Sequence, residues 1–215
     1  MIIPCFNVAQ TIGAILKELN KRPIDVVLID DGSADATVEI AGCYQAVILK
    51  NKGNLGKGLS LRKGFDYALA CGYATIITMD GDGQHLPEDV DSFLKAGLVR
   101  PEVDIVIGNR MDNPLGMPFI RRLTNRIMSR LLSAIAHQEI PDSQNGFRLI
   151  KSRALASLNL ESARFEIESE IIIKASLQGA KIISIPVRSV YKNSPSSINP
   201  FWDTFRFIKF ILPYL

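Results

Sequence analysis

Two carboxylates two residues apart stand in the run Asp80-Gly81-Asp82-Gly83-Gln84, directly after an apolar stretch from Ala74 to Met79. Hard divalent cations take oxygen ligands, and Mg²⁺ is usually held by one or two carboxylates while phosphates and water complete its shell. Asp80, Asp82 and the amide oxygen of Gln84 supply such a partial cage, and the glycines between them let a ligand approach closely. A second acidic pair, Asp30-Asp31, precedes Gly32-Ser33. Ser33 suits a helix N-cap. Two adjacent carboxylates, however, repel each other unless cations or donors face them, and a nucleobase or ribose offers donors. Asn54-Leu55-Gly56-Lys57-Gly58 precedes a helical stretch. Its N–H groups and Lys57 either face a diphosphate or simply begin the helix.

The elements that must position these residues are legible as alternating short β-branched runs and amphipathic segments. Strands are expected at Met1 to Ile3, Val26 to Ile29, Ala46 to Leu49, Ala74 to Met79 and Asp104 to Ile107. Helices are expected at Ile12 to Leu19, Ala36 to Ala41, Lys57 to Ala70 and Pro87 to Ala96. Continuously apolar strands imply a sheet buried on both faces, hence a mostly parallel α/β sheet flanked by helices. In such sheets ligands collect at the carboxyl ends of the strands. The polar groups gather there: Pro4-Cys5-Phe6-Asn7, Asp30-Asp31, Asp80 to His85, and Gly108-Asn109-Arg110. His85 is not counted as a metal ligand.

After Arg110 the pattern changes. A Gly/Pro-bearing loop, Met111 to Pro118, leads into a long helix with Arg121, Arg122, Arg126 and Arg130, and with Ile120, Leu123, Ile127, Leu131 and Ala134 on another face. A loop through Asp142-Ser143-Gln144-Asn145-Gly146-Phe147-Arg148 follows, then a helix near Phe165 to Leu177, a strand at Lys181 to Val187, a polar loop through Ser197, and a terminal helix from Pro200. Phe201, Trp202, Phe205, Ile208 and Leu212 recur there at helical spacing beside Arg206 and Lys209. This stripe either packs on the domain or, with the arginine-rich helix, docks on an anionic bilayer.

The 215 residues fit one domain, a first half of residues 1–110 and a second of 111–215. A net charge of +3 is too small for nucleic-acid binding over the whole surface. No apolar run reaches the roughly 18 to 20 residues of a spanning helix, and Met-Ile-Ile-Pro is not the start of a signal peptide. Cys5, Cys43 and Cys71 are odd in number and widely spaced, which points to the reducing cytosol.

Taken in order, Ile3-Pro-Cys-Phe-Asn7, Asp30-Asp-Gly-Ser33, Asn54-Leu-Gly-Lys-Gly58, Met79-Asp-Gly-Asp-Gly-Gln-His85 and Asp142-Ser-Gln-Asn-Gly-Phe-Arg148 resemble glycosyltransferase family 2, closest to its polyprenyl-phosphate (dolichyl-phosphate) mannose and glucose synthases. The resemblance implies a GT-A fold, a GDP- or UDP-sugar donor, and inversion at the anomeric carbon. By position, Pro4, Phe6, Asp30, Asp31, Lys57 and Asp80 would bind the nucleotide, and Asp80, Asp82 and Gln84 would hold Mg²⁺ or Mn²⁺. Arg122 and Asn125 match an Arg-x-x-Asn element and Arg148 the Gly-Phe-Arg arginine; with Glu168 they would meet a lipid phosphate acceptor. Asp82, Arg122 and Arg148 are the expected catalytic set. Members usually carry Glu where this chain has Val8. Many continue into membrane helices, so this chain is expected either to be peripheral on the cytoplasmic membrane face or to be part of a longer, anchored one.

An anionic phosphate acceptor needs no general base, whereas a sugar hydroxyl does. A glycan-hydroxyl acceptor would draw on Asp142, Glu166 or Glu168. A non-catalytic nucleotide-sugar-binding module is the reading from another class.

Overall fold

Short apolar runs bounded by polar turns become seven strands: β1 Ile2–Cys5, β2 Val27–Asp30, β3 Val47–Lys50, β4 Thr75–Thr78, β5 Ile105–Asn109, β6 Arg148–Lys151 and β7 Ile182–Pro186. The helices are α1 Ala9–Leu19, α2 Thr37–Ala41, α3 Lys57–Ala70, α4 Val90–Val99 behind a 3₁₀ turn at Pro87–Asp89, α5 Phe119–Ala136, α6 Ser152–Leu155 and α7 Ile167–Leu177. A computed structural model describes residues 1–191 and 207–214. The polar loop through Ser197 and the expected helix start at Pro200, with Phe201, Trp202, Phe205 and Arg206, lie outside the described residues. Residues 207–211 are helical.

The strands form one sheet in the order β3-β2-β1-β4-β6-β5-β7. Every pairing is parallel except those of β6, which runs antiparallel to β4 and β5. Alternate side chains leave opposite faces of the sheet. Ile2, Val27 and Ile29 therefore join Leu61 and Phe65 of α3 and Ile171 of α7 on one face. Ile3 and Leu28 meet Ile12 and Leu16 of α1 and Phe93 of α4 on the other. β6 was expected as part of a loop; it is a four-residue strand inserted between β4 and β5. Because it is antiparallel, its first residue sits where β4 ends: Arg148 pairs with Thr78. The loop before β6 is thereby delivered to the carboxyl edge of the sheet.

Strand order reverses at β1, which has β2 on one side and β4 on the other. An open α/β sheet offers its ligand crevice at such a switch point. Among the described residues no helix is long and apolar enough to cross a membrane.

Candidate active site

The acidic loop after β4 is seated by its glycines. A Cβ on Gly81 would lie 2.9 Å from Cys5 Sγ and 3.3 Å from Val8 Cγ2. One on Gly83, whose φ is +76°, would lie 2.9 Å from Thr11 Cγ2, so the loop lies flat on the start of α1. The Thr11 hydroxyl donates to the Gly81 carbonyl at 2.5 Å. Asp82 is exposed and turns the loop by accepting the Gln84 N–H at 2.9 Å. His85 is buried, accepts the Asp80 N–H through Nδ1 at 3.3 Å, and packs on Phe147. Burial pushes the His85 pKa below its usual value.

Asp80 lies against Lys57 of α3, with Oδ1 2.5 Å from Nζ, and Nζ is also 2.6 Å from Glu168 Oε1 at the start of α7. Burial disfavours charge on both partners, but the pairing outweighs it. The Asp80 carboxyl is lowered to about 2, and Lys57 is held protonated above its ordinary value. The glycines before Lys57 and after it serve close packing. Cβ atoms on Gly56 and Gly58 would fall 2.6 Å from the Ala163 carbonyl oxygen and 2.5 Å from its carbonyl carbon. The Leu59 N–H is given to the Ala163 carbonyl. Lys57 was expected to contact the nucleotide; here it faces two carboxylates of its own chain, and the residues around it begin a helix packed on the 162–164 loop.

The donors sought for Asp31 are also internal. Its carboxylate accepts from Asn51 Nδ2 at 2.8 Å, Leu55 N at 3.0 Å and Gly56 N at 2.8 Å. Asp30 accepts the Ser33 N–H at 3.1 Å. Both carboxylates are buried and shape the loops that rim the carboxyl edge. Pro4 lies within β1, and Phe6 is 44% exposed beside these loops, an aromatic face left open rather than packed in the core.

The second half contributes a buried polar core beneath the rim. Asp142, fully buried, accepts from Arg110 Nε and Nη2 at 2.8 Å each, from the Arg110 N–H at 2.9 Å and from Asn125 Nδ2 at 2.7 Å. The Asn125 Oδ1 accepts from Ser129 at 3.0 Å. Arg148 is 1% exposed and donates to the carbonyls of Asn145, Glu168 and Ser143 at 2.8, 2.6 and 2.7 Å. Arg148 and Asn125, expected at the acceptor, direct these donors within the fold and hold the 142–148 loop against α5 and α7. Glu168, likewise expected at the acceptor, is occupied by Lys57.

Arg122 is exposed on α5. The arginine that leans on the acidic loop is its neighbour: Arg121 Nη1 lies 3.5 Å from Gln84 Oε1, and its guanidinium stacks 5.7 Å from the Tyr191 ring. Tyr191 is brought there by the chain after β7, where Val190 N–H donates to the Gln84 carbonyl and Ser189 bridges to His85. The signal was present in the spacing. Asn125, Met128, Leu132 and Ala136 form the buried stripe of α5, and stepping back four residues from Asn125 reaches Arg121.

Asp80, Asp82 and Gln84 fit a divalent cation by donor chemistry, two carboxylates and an amide. Among the described residues no group of three or more His, Cys, Asp or Glu could hold one unaided.

The model of the family described as Glycosyl transferase family 2 matches residues 1–158. An uncharacterized protein of Methanocaldococcus jannaschii is 35% identical over 197 residues, covering 89% of this chain and 81% of the relative. A UDP-N-acetylglucosamine–dolichyl-phosphate N-acetylglucosaminyltransferase of Methanococcus voltae is 26% identical over 214 residues, 89% of this chain and 85% of its own. The crystal structure of glucosyl-3-phosphoglycerate synthase from Mycobacterium tuberculosis with Mn²⁺, UDP-glucose and glycerol 3-phosphate superposes with a TM-score of 0.71 at 17% identity, covering 99% of this chain and 78% of that one. At that identity the likeness shows the fold, GT-A.

Proposed function

Because the chain belongs to glycosyl transferase family 2, we propose that it moves a sugar, with inversion, from a GDP- or UDP-sugar to a polyprenyl phosphate, with Mg²⁺ or Mn²⁺ on the donor diphosphate. The observation that carries this reading is the Asp80-to-Gln84 loop at the switch point, faced by Arg121. Its support from relatives is the dolichyl-phosphate acceptor named for the Methanococcus voltae enzyme and the Mn²⁺ and UDP-glucose bound by the mycobacterial one.

Breaking the bond to a diphosphate builds negative charge on the leaving oxygen. A divalent cation held by Asp80, Asp82 and Gln84 supplies Lewis acidity toward that charge. Phe6 offers its open ring to the nucleobase. Arg121 is placed to receive an incoming phosphate and offset its repulsion from the donor, a task for which a guanidinium's paired donors suit it better than lysine. Two of the three base candidates for a hydroxyl acceptor are engaged, Asp142 by Arg110 and Glu168 by Lys57, while Glu166 is half-buried just before α7. This favours an acceptor that arrives already anionic. The Asp82→Ala protein, checked for folding by circular dichroism, is expected to lose transfer to a polyprenyl phosphate by on the order of 10²–10³-fold at saturating nucleotide-sugar, the scale of removing one electrostatic stabiliser. Full retained activity would overturn the reading.

The exposed face of α5 supports a reading of where the chain acts. Leu115, Phe119, Ile120, Leu123 and Ile127 are all exposed, and Arg122, Arg126 and Arg130 stand among them. At the C-terminal side Phe207 and Ile211 pack on Met128, Leu132 and Ile173, while Ile208 and Leu212 stay exposed. An apolar stripe set among arginines suits an anionic leaflet, each basic residue near the surface contributing about 1 kcal/mol. We read this face as a peripheral contact with the cytoplasmic leaflet. Ile120→Asp combined with Ile127→Asp is expected to weaken co-sedimentation with anionic vesicles at least about tenfold, since each lost apolar side chain removes about 1.5–3 kcal/mol of burial.

A further inference from the structure

Lys57 is a lysine enclosed by two acids. Its side chain is 14% exposed and that of Glu168 5%, and its ammonium lies 2.5 Å from Asp80 Oδ1 and 2.6 Å from Glu168 Oε1. All three groups close on the Cα of Gly146, where an added Cβ would stand 2.8 Å from Nζ, 2.9 Å from Asp80 Oδ2 and 2.9 Å from Glu168 Oε1. A lysine that merely opened a helix would extend into solvent. This one is anchored across the fold, from α3 to α7.

We propose that Lys57 is a resident counter-ion: it neutralises Asp80 while the donor is absent, so that a divalent cation binds tightly only together with a diphosphate. This rests on the reading of Asp80 and Asp82 as cation ligands. A compact ammonium between two carboxylates is the arrangement for which lysine, a point charge, is suited. A dication approaching Asp80 meets that positive charge at short range and finds only Asp82 and Gln84 beside it. Two phosphates change both terms, adding oxygen ligands and negative charge at once. With Lys57 removed, Asp80, Asp82 and Glu168 would stand as three carboxylates with no cation in contact, since the nearby Arg110 binds Asp142 and Arg148 binds backbone carbonyls, and a dication would be drawn in by the protein alone. The enzyme would then hold a bare metal ion and lose the coupling that makes the ion arrive with its substrate.

The test is Mn²⁺ binding, by titration calorimetry or by the electron paramagnetic resonance of free Mn²⁺, with and without UDP or GDP, on the wild-type, Lys57→Met and Lys57→Arg proteins. The wild type is expected to bind Mn²⁺ weakly alone and at least about tenfold more tightly with nucleotide. Lys57→Met should bind Mn²⁺ alone about 10–100-fold more tightly than wild type, the range by which groups behind metal ligands tune affinity, and lose most of the enhancement by nucleotide. Lys57→Arg should keep the wild-type pattern. Should the methionine variant fail to fold, Lys57→Gln, which keeps a donor for both carboxylates, carries the same expectation. Unchanged or weaker Mn²⁺-only binding in the neutral variants overturns the counter-ion role while leaving the metal site standing. Absence of nucleotide enhancement in the wild type overturns the metal–diphosphate reading itself, and this proposal with it.

Discussion

Asp142→Ala is expected to destabilise the protein by about 3–5 kcal/mol, the cost of removing one partner of a buried ion pair. Its carboxylate accepts three hydrogen bonds from Arg110 and one from Asn125. Arg110 is 3% exposed, so the variant strands a guanidinium in the interior and frees Asn125 on α5. The loss is a property of the missing charge and not of the missing volume, and pH separates the two. Burial pushes the Asp142 carboxyl up, but Arg110 outweighs this and holds it below its ordinary 3.8. A depressed carboxyl contributes stability above its unfolded pKa and loses it as pH falls through the folded value. Urea unfolding followed by circular dichroism should therefore show the full wild-type advantage at pH 7, shrinking only below about pH 4. An advantage of under 1 kcal/mol at pH 7 would mean that Arg110 finds another partner or water.

Gly146→Ala is expected to cut transfer at least about 100-fold, the effect of displacing reacting groups by an ångström, in a protein that still folds. The new methyl group would occupy space within 2.9 Å of Lys57 Nζ, Asp80 Oδ2 and Glu168 Oε1. The Gly146 carbonyl accepts from the Thr78 hydroxyl at 2.7 Å, so the backbone is tied to β4 and the side chains must give way. Asp80, one of the proposed cation ligands, is then expected to shift. Steady-state rates against nucleotide-sugar, with a urea midpoint beside them, distinguish this from global loss of stability. Near-wild-type turnover would show that the three charged groups adjust without affecting the chemistry.

The first five strands were legible because each is a short apolar run ending in acidic or polar residues, a pattern set by burial in β1, β2, β4 and β5 and kept in β3, which lies half-exposed at the sheet edge. α3 was found at its full extent, Lys57 to Ala70. β6 was not, because Arg148 and Lys151 flank only two apolar residues and a four-residue strand carries no periodicity of its own. At the site, the acidic loop was placed by its position after β4. The partners of the charged residues were not, since those lie far away along the chain: Lys57 meets Glu168 across 111 residues and Arg110 meets Asp142 across 32. For that reason Asp31, Arg148 and Asn125 read as ligand contacts in one dimension, and their partners within the chain emerge only in three. Arg121 was within reach of a helical-stripe argument, and motif matching to Arg122 concealed it.

The antiparallel strand also sets the order in which the molecule can come into being. Residues through Asn109 contain β4 and β5, yet these two never touch; β6 stands between them and hydrogen-bonds to both. While the chain emerges from the ribosome, β4 must wait with one edge unpaired until Arg148 to Lys151 have been made, a delay of about 4–15 s at 5–20 residues per second. The same event that closes the sheet swings Gly146 beneath Asp80 and fixes Thr78 to it. Until that pairing forms, β4 presents an unpaired strand edge, and the acidic loop lacks the 142–148 segment beneath it.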